Sequence, residues 1–98
     1  MRRRLIVTPA ARADITDALD WYQQHASGVL AHIRAELRTL SARIAANPLQ
    51  FPASAGNPRR ALLRRFPYAV IFTLTDDTVY VVAFFHTNRD TLQWRRRS

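Results

Sequence analysis

The segment from Val79 to His86 constrains the fold most strongly, because it is apolar on both faces when its backbone is extended. Its side chains form two alternating rows, with Tyr80, Val82 and Phe84 on one side and Val81, Ala83 and Phe85 on the other. A strand without a polar face must be covered on both sides. We therefore predict a strand in the middle of a sheet. The chain has 98 residues, which provide one hydrophobic core, so residues 1–98 are predicted to form a single domain.

A short strand at residues 3–8 and a first helix are predicted at the start of the chain. Thr8 and Pro9 are typical of a helix start, with the threonine as N-cap and the proline in the first turn. The apolar stripe of this helix recurs at helical spacing at Ala11, Ile15, Ala18, Leu19 and Tyr22. The acidic residues Asp14, Asp17 and Asp20 are interpreted as a solvated face rather than as a metal site.

The second helix carries the strongest periodic signal in the chain. Its apolar stripe consists of Leu30, Ile33, Leu37, Leu40 and Ile44. The sequence Ala26-Ser27-Gly28 breaks the first helix, and Ser27 is expected to cap the second. Asn47-Pro48 ends the second helix. Two helices joined by so short a turn are predicted to pack as an antiparallel hairpin.

The second half of the chain predicts three strands and a short final helix. A loop from Pro48 to Pro58, which we expect Leu49 and Phe51 to pin to the core, leads into them. The predicted strands are Arg59–Phe66, Tyr68–Leu74 and Val79–His86, with Pro67 as a bend and residues 75–78 as a hairpin turn. Residues 90–97 predict a helix that Asn88 or Asp90 caps. The predicted fold class is therefore α+β, in the order β-α-α-β-β-β-α, with the helical hairpin on one face of a small sheet.

The charge of the chain indicates an acidic partner. All fifteen basic residues are arginines, against seven acidic residues, and the formal net charge is +8. Arginine stays protonated near neutral pH, so these side chains can bind anions but are poor general bases. This excess of positive charge predicts binding to nucleic acid or to an acidic protein segment.

The composition also excludes several kinds of site. The chain has no cysteine, and its three histidines and its carboxylates show no metal-ligand spacing, so we expect neither a metal ion nor a cofactor. Its two glycines form no phosphate-binding loop. The apolar run Leu5-Ile6-Val7 is too short for a signal peptide or a membrane span. We expect a soluble, cytoplasmic protein.

Two segments of the second half resemble a known family. Residues 59–72 form a basic strand, the sequence Phe66-Pro67-Tyr68 and an apolar strand, and residues 82–95 end an apolar strand in His-x-x-Arg-Asp-x-x-x-Trp. Together with Thr8-Pro9-Ala10-Ala11 and the aromatic pair Trp21-Tyr22, this pattern spans nearly the whole chain. It resembles the RelE/ParE superfamily of toxins from type II toxin–antitoxin systems.

The resemblance implies one of two activities. RelE-like toxins cleave mRNA in the ribosome, whereas ParE-like toxins poison DNA gyrase by trapping its DNA-cleavage complex. The nucleases place lysines before the bend, an arginine after the next tyrosine, an arginine after the last strand and a tyrosine in the final helix. Here Arg60, Arg64 and Arg65 replace the lysines, Ala69 replaces the first arginine, and the final helix has no tyrosine. Only Arg89 matches, so the sequence favours the ParE-like branch.

The ParE-like interpretation implies a binding surface rather than a catalytic centre. We expect gyrase, or its DNA, to be bound by Arg64, Arg65, Arg89, Trp94 and Arg95. In the alternative of an mRNA endonuclease, His86 and Arg89 would be the catalytic pair, supplying proton transfer and phosphate stabilisation. An inactive binding module of the same fold is a third possibility. His86 could equally be a structural hydrogen-bonding group, Trp94 an anchor of the last helix, and Arg95-Arg96-Arg97 a tail.

The resemblance also implies an antitoxin whose C-terminal segment wraps around the toxin. The charge of +8 predicts that this segment is acidic and amphipathic, and that it binds the basic sheet-and-tail surface as a helix in a groove or as an added strand. On the predicted strand, Arg64 and Arg65 point to opposite faces, so at most one of them faces the core.

Overall fold

The structure is a computed structural model, and it describes residues 3–53 and 58–88. Within these residues the elements are β1 (Arg4–Val7), α1 (Pro9–His25), a 3₁₀ turn (Ser27–Val29), α2 (Leu30–Ala46), a second 3₁₀ turn (Pro48–Gln50), β2 (Arg59–Leu62), β3 (Tyr68–Thr75) and β4 (Thr78–His86). This order confirms the predicted α+β fold class. The predicted final helix lies outside the described residues. No described helix has both the length and the apolar character needed to cross a membrane.

β4 lies inside the sheet, as its two apolar faces predicted. The strand order is β1-β4-β3-β2, and β4 runs parallel to β1 and antiparallel to β3. The register shifts at a β-bulge, because Ile71 lies opposite Ala83 whereas Phe72 lies opposite Val81. The extra residue breaks the predicted alternation of β4. As a result, Val81 lies on the same face as Phe84, in the cluster under the helices. The prediction that Val81 shares a face with Ala83 is therefore wrong.

One face of the sheet packs against α1 and α2. The Thr8 side chain caps α1 as predicted, accepting a backbone N–H of the first turn at 3.2 Å. Both predicted apolar stripes face the core, where Ile33, Ile44 and Phe72 are at most 1% exposed. The Phe72 ring meets the Phe51 ring edge-on at 5.9 Å, which ties the loop after α2 to the sheet.

Three local predictions are wrong. Ser27 begins a 3₁₀ turn instead of capping α2, whose N-cap is Val29 without a side-chain hydrogen bond. The 3₁₀ turn continues directly into α2, and its backbone hydrogen bonds replace a side-chain cap at the start of the helix. β2 ends at Leu62 instead of Phe66, because the chain leaves the ladder to form a bend. Leu49 is 56% exposed and does not belong to the core cluster, whereas Phe51 is buried in it as predicted.

The β3–β4 hairpin turns through two residues, Asp76 and Asp77, between the paired Thr75 and Thr78. The predicted hairpin turn is thereby confirmed. Asp76 has a φ of 54°, the one positive value at a non-glycine position in the described part of the chain. Left-handed backbone is unfavourable for a residue with a Cβ atom, although aspartate tolerates it better than most.

Asp76→Gly is expected to raise the free energy of unfolding by about 0.5–1 kcal/mol, because glycine adopts positive φ without a Cβ clash. Asp77→Gly is the matched control in the same turn. Its φ is not positive, so the change mainly increases the entropy of the unfolded chain and should lower the free energy of unfolding by about 0.5 kcal/mol. Urea unfolding of both variants measures the two shifts, and shifts of the same sign would contradict this conformation of Asp76.

Candidate functional site

The chain between β2 and β3 forms a bend, residues 63–67, whose backbone and apolar side chains are held in place. The Leu63 N–H donates to the Tyr68 carbonyl at 3.0 Å and closes the bend. The Leu63 side chain is buried, and the Phe66 ring packs edge-on against Tyr22 of α1 at 5.8 Å. The bend is therefore fixed to the sheet and to the first helix.

Glu36 of α2 hydrogen-bonds the backbone of the two arginines in the bend. Its Oε1 accepts the backbone N–H of Arg64 at 2.7 Å and that of Arg65 at 3.3 Å. Both arginine side chains are exposed. The prediction that they point to opposite faces of a strand is therefore wrong, because they lie beyond the end of β2. The Oε2 atom of Glu36 is buried and accepts no hydrogen bond from the described residues.

A basic groove of about 450 Å³ lies between α2 and the bend. Its lining residues are His32, Ala35, Glu36, Thr39, Leu40, Arg43, Leu62, Leu63, Arg64 and Arg65. Three arginines line the groove, whereas its single carboxylate is already bonded to the backbone of the bend. The groove therefore favours an acidic ligand or partner segment.

The face of the sheet opposite the helices is apolar in its central part. Ala69, Ile71, Ala83 and Phe85 form a cluster in which no residue is more than 4% exposed. Arg60 lies at its border, with its guanidinium carbon 6.0 Å from the centre of the Phe85 ring. None of the four cluster side chains can transfer a proton or bind a phosphate, so the cluster contributes packing and no chemistry.

His86 has local contacts that fit a structural role. It is half-buried, its ring meets the Tyr68 ring edge-on at 5.3 Å, and its Nδ1 accepts the Asn88 N–H at 3.2 Å. This bond requires Nδ1 to be unprotonated and orders the turn after β4. His25 and His32 are exposed, and the His25 ring stacks on Trp21 at 4.5 Å.

Asp14 is not part of a solvated face, which corrects one of the predictions. Its Oδ2 accepts the Phe84 N–H at 3.1 Å. The pairing of β1 with β4 ends at Val81, so the β1 side of Phe84 has no strand partner. The Asp14 carboxylate replaces that missing strand and links α1 to the middle of the sheet. Asp17 and Asp20 are exposed, as predicted.

The predicted site residues are only partly covered by the structure. Arg64 and Arg65 lie together in the bend, and His86 lies at the end of β4. Arg89, Trp94 and Arg95 lie outside the described residues, so the structure does not test whether they join the same surface. Among residues 3–53 and 58–88, no three side chains of the metal-ligating types come close enough to hold a metal ion.

Comparisons with known proteins agree with this fold. The family model described as "ParE toxin of type II toxin-antitoxin system, parDE" matches residues 5–91. A solved structure described as "Chromosomal ParDE TA system from P. aeruginosa" superposes with a TM-score of 0.75. At 16% sequence identity, the alignment covers 87% of this chain and 96% of that one. No curated protein matches the sequence.

Proposed function

Because this chain belongs to the ParE toxin family of type II toxin–antitoxin systems, we propose that it inhibits DNA gyrase in the cytoplasm by trapping the DNA-cleavage complex. An antitoxin with an acidic, amphipathic C-terminal segment neutralises it. The toxin acts by binding and makes or breaks no covalent bond itself. Its target surface includes Arg64 and Arg65 and, beyond the described residues, Arg89, Trp94 and Arg95.

The observation that carries this proposal is the apolar cluster on the sheet face opposite the helices. In the mRNA-cleaving branch, an arginine follows the tyrosine at the start of the strand that corresponds to β3. The equivalent position here is Ala69, which is 0% exposed and packs with Ile71, Ala83 and Phe85. RNA cleavage needs a base, an acid and donors for the phosphate charge. A face filled with aliphatic and phenyl groups supports the gyrase-directed branch.

The geometry of the bend supports a role for Arg64 and Arg65 in target binding. Glu36 fixes their backbone, so their guanidinium groups start from a defined position on the surface. A fixed backbone lowers the entropy lost on binding, and positive charge speeds association with an acidic protein or with DNA. The Oε1 atom of Glu36 accepts its hydrogen bonds from the backbone, so neither guanidinium group is needed as its donor.

The proposal is tested by reversing charge at two places on the molecule. The double variant Arg64→Glu/Arg65→Glu should raise the toxin concentration for half-inhibition of gyrase supercoiling by at least about tenfold, because attraction becomes repulsion. Arg34→Glu/Arg38→Glu is the matched control on α2, where both residues are exposed. It changes the net charge equally and should have less than about a threefold effect if the bend is the contact surface.

Two assays are run in parallel. The first contains purified toxin, gyrase, ATP and relaxed plasmid, and the second contains purified toxin and ribosomes programmed with mRNA. Loss of supercoiling with accumulating linear DNA, and intact mRNA, is the expected result for the unmodified toxin. Cleaved mRNA with unaffected gyrase would overturn the proposal and would make His86 and Arg89 the first residues to replace. Equal losses in both double variants would show that net charge, and not the bend, governs inhibition.

A further inference from the structure

The outer edge of β2 alternates between inward and outward hydrogen bonding. Leu63 donates its N–H toward β3, to the Tyr68 carbonyl. Ala61, two residues earlier and paired with Val70, directs its backbone N–H and C=O toward β3 in the same way. In an antiparallel pair, the residues between these positions direct their backbone groups away from the partner strand. The N–H and C=O of Leu62 therefore point away from β3, toward the open side of β2, as do those of Arg60.

The loop before β2 covers only the first part of this edge. The Arg60 N–H donates outward to the Pro52 carbonyl at 3.1 Å, next to an isolated bridge between Ala53 and Arg59. Pro52 has no N–H, so it cannot return a bond to the Arg60 carbonyl. Beyond it, no described residue hydrogen-bonds the outward N–H or C=O of Leu62. Sheet edges left open in this way readily accept another strand.

The surroundings of the open edge favour a partner that is both apolar and acidic. The Leu62 side chain is 54% exposed. On one side it borders an apolar hollow of about 490 Å³, formed with Phe51, Pro52 and Arg60. On the other side it borders the basic groove between α2 and the bend. A strand lying along this edge would place alternate side chains toward apolar and basic surface.

We propose that an extended acidic segment of the antitoxin adds to β2 as a fifth strand beyond the part of the edge that the loop covers, bonding to the N–H and C=O of Leu62. This inference rests on the proposed function. A second copy of the toxin fits the edge poorly, because two chains of charge +8 would bring their arginines together. An antitoxin carboxylate can instead pair with Arg43 or Arg64 in the groove.

Leu62→Pro is the sharpest test, because it removes the outward N–H and no bond of the β2–β3 ladder. Leu62→Ala removes the same side chain but keeps the N–H, and Leu49→Ala removes an equally exposed leucine elsewhere. Titration calorimetry against the full-length antitoxin encoded beside the toxin gene gives each dissociation constant. We expect the proline variant to bind at least about fivefold more weakly than Leu62→Ala, which corresponds to one net hydrogen bond. Leu49→Ala should bind as the unmodified toxin does.

Equal binding by Leu62→Pro and Leu62→Ala would overturn strand addition. If the proline variant fails to fold, amide exchange of the unmodified toxin decides instead. The Leu62 amide should exchange at least about a hundredfold more slowly in the complex, and an unchanged rate would overturn the inference. Light scattering that shows a toxin dimer broken by Leu62→Pro would assign the edge to a second copy and contradict the proposal. If the unmodified toxin inhibits gyrase but shows no binding to this antitoxin, the antitoxin part of the proposed function is itself refuted.

Discussion

Ala69→Arg is expected to lower the free energy of unfolding by more than about 4 kcal/mol, enough to unfold much of the protein at room temperature. Ala69 is 0% exposed and lies in the apolar cluster with Ile71, Ala83 and Phe85. An arginine there would bury a guanidinium group without an acidic partner in the cluster, and would force a long side chain into a packed space.

Leu62→Arg is the matched control for this variant. Leu62 lies directly opposite Ala69 in the β2–β3 ladder, so both changes add the same charge to neighbouring positions. Leu62 is 54% exposed, and the new guanidinium would stay in water, with a change within about 0.5 kcal/mol. Urea unfolding followed by circular dichroism compares the two. Equal stability of both variants would show that the sheet face at Ala69 is open surface, and would remove the main support for the gyrase-directed branch.

The choice between the two branches of the superfamily is therefore tied to stability in this chain. An arginine at the position of Ala69 would place a charged group on this sheet face and reduce the apolar area that the face can bury. Here both faces contribute, since the cluster of Phe85 and Ile71 adds to the core under the helices. Burial of such residues supplies roughly 1.5–3 kcal/mol each for the larger side chains. Giving this face the acid, base and phosphate donors that RNA cleavage needs would therefore require more than one substitution.

The main features of the fold could be predicted because they follow from local periodicity. The central position of β4 follows from its two apolar faces, and the orientation of α1 and α2 follows from their apolar stripes. The bulge in β4 could not be predicted, because it arises from pairing with β3 rather than from its own sequence. The end of β2 at Leu62 was missed because residues 63–66 contain no glycine, proline, asparagine or aspartate that would end a strand, and the first such residue is Pro67.

The two acidic residues that fasten the helices to the sheet were missed, although the sequence held a signal for them. Asp14 lies three residues after Ala11 and four before Ala18, and Glu36 lies three after Ile33 and four before Leu40. Each acid is therefore on the apolar stripe of its helix. Polar residues at such positions need a buried partner. The identity of the partner could not be predicted, because it is a backbone N–H of β4 beyond the end of β1 for Asp14, and the backbone N–H groups of the bend for Glu36.

Glu36→Ala is expected to lower the free energy of unfolding by about 3 kcal/mol, since it removes the charged acceptor of two backbone N–H groups. Glu36→Gln keeps an oxygen acceptor without the charge and should lose about half as much. Thr39→Ala is the control, because Thr39 is exposed and lines the same groove without a hydrogen bond to the bend. Its effect should stay within about 0.5 kcal/mol. Urea unfolding measures all three variants.

The same variants separate the position of the arginines from their charge. Glu36→Ala leaves Arg64 and Arg65 in the sequence and even raises the net charge by one. A pure charge effect would therefore strengthen gyrase inhibition, whereas a loss of backbone order should weaken it by about tenfold. Amide exchange at Arg64 and Arg65, measured well below the unfolding temperature, should accelerate in parallel. Faster exchange with unchanged inhibition would show that the arginines act from a disordered bend, and that Glu36 serves stability alone.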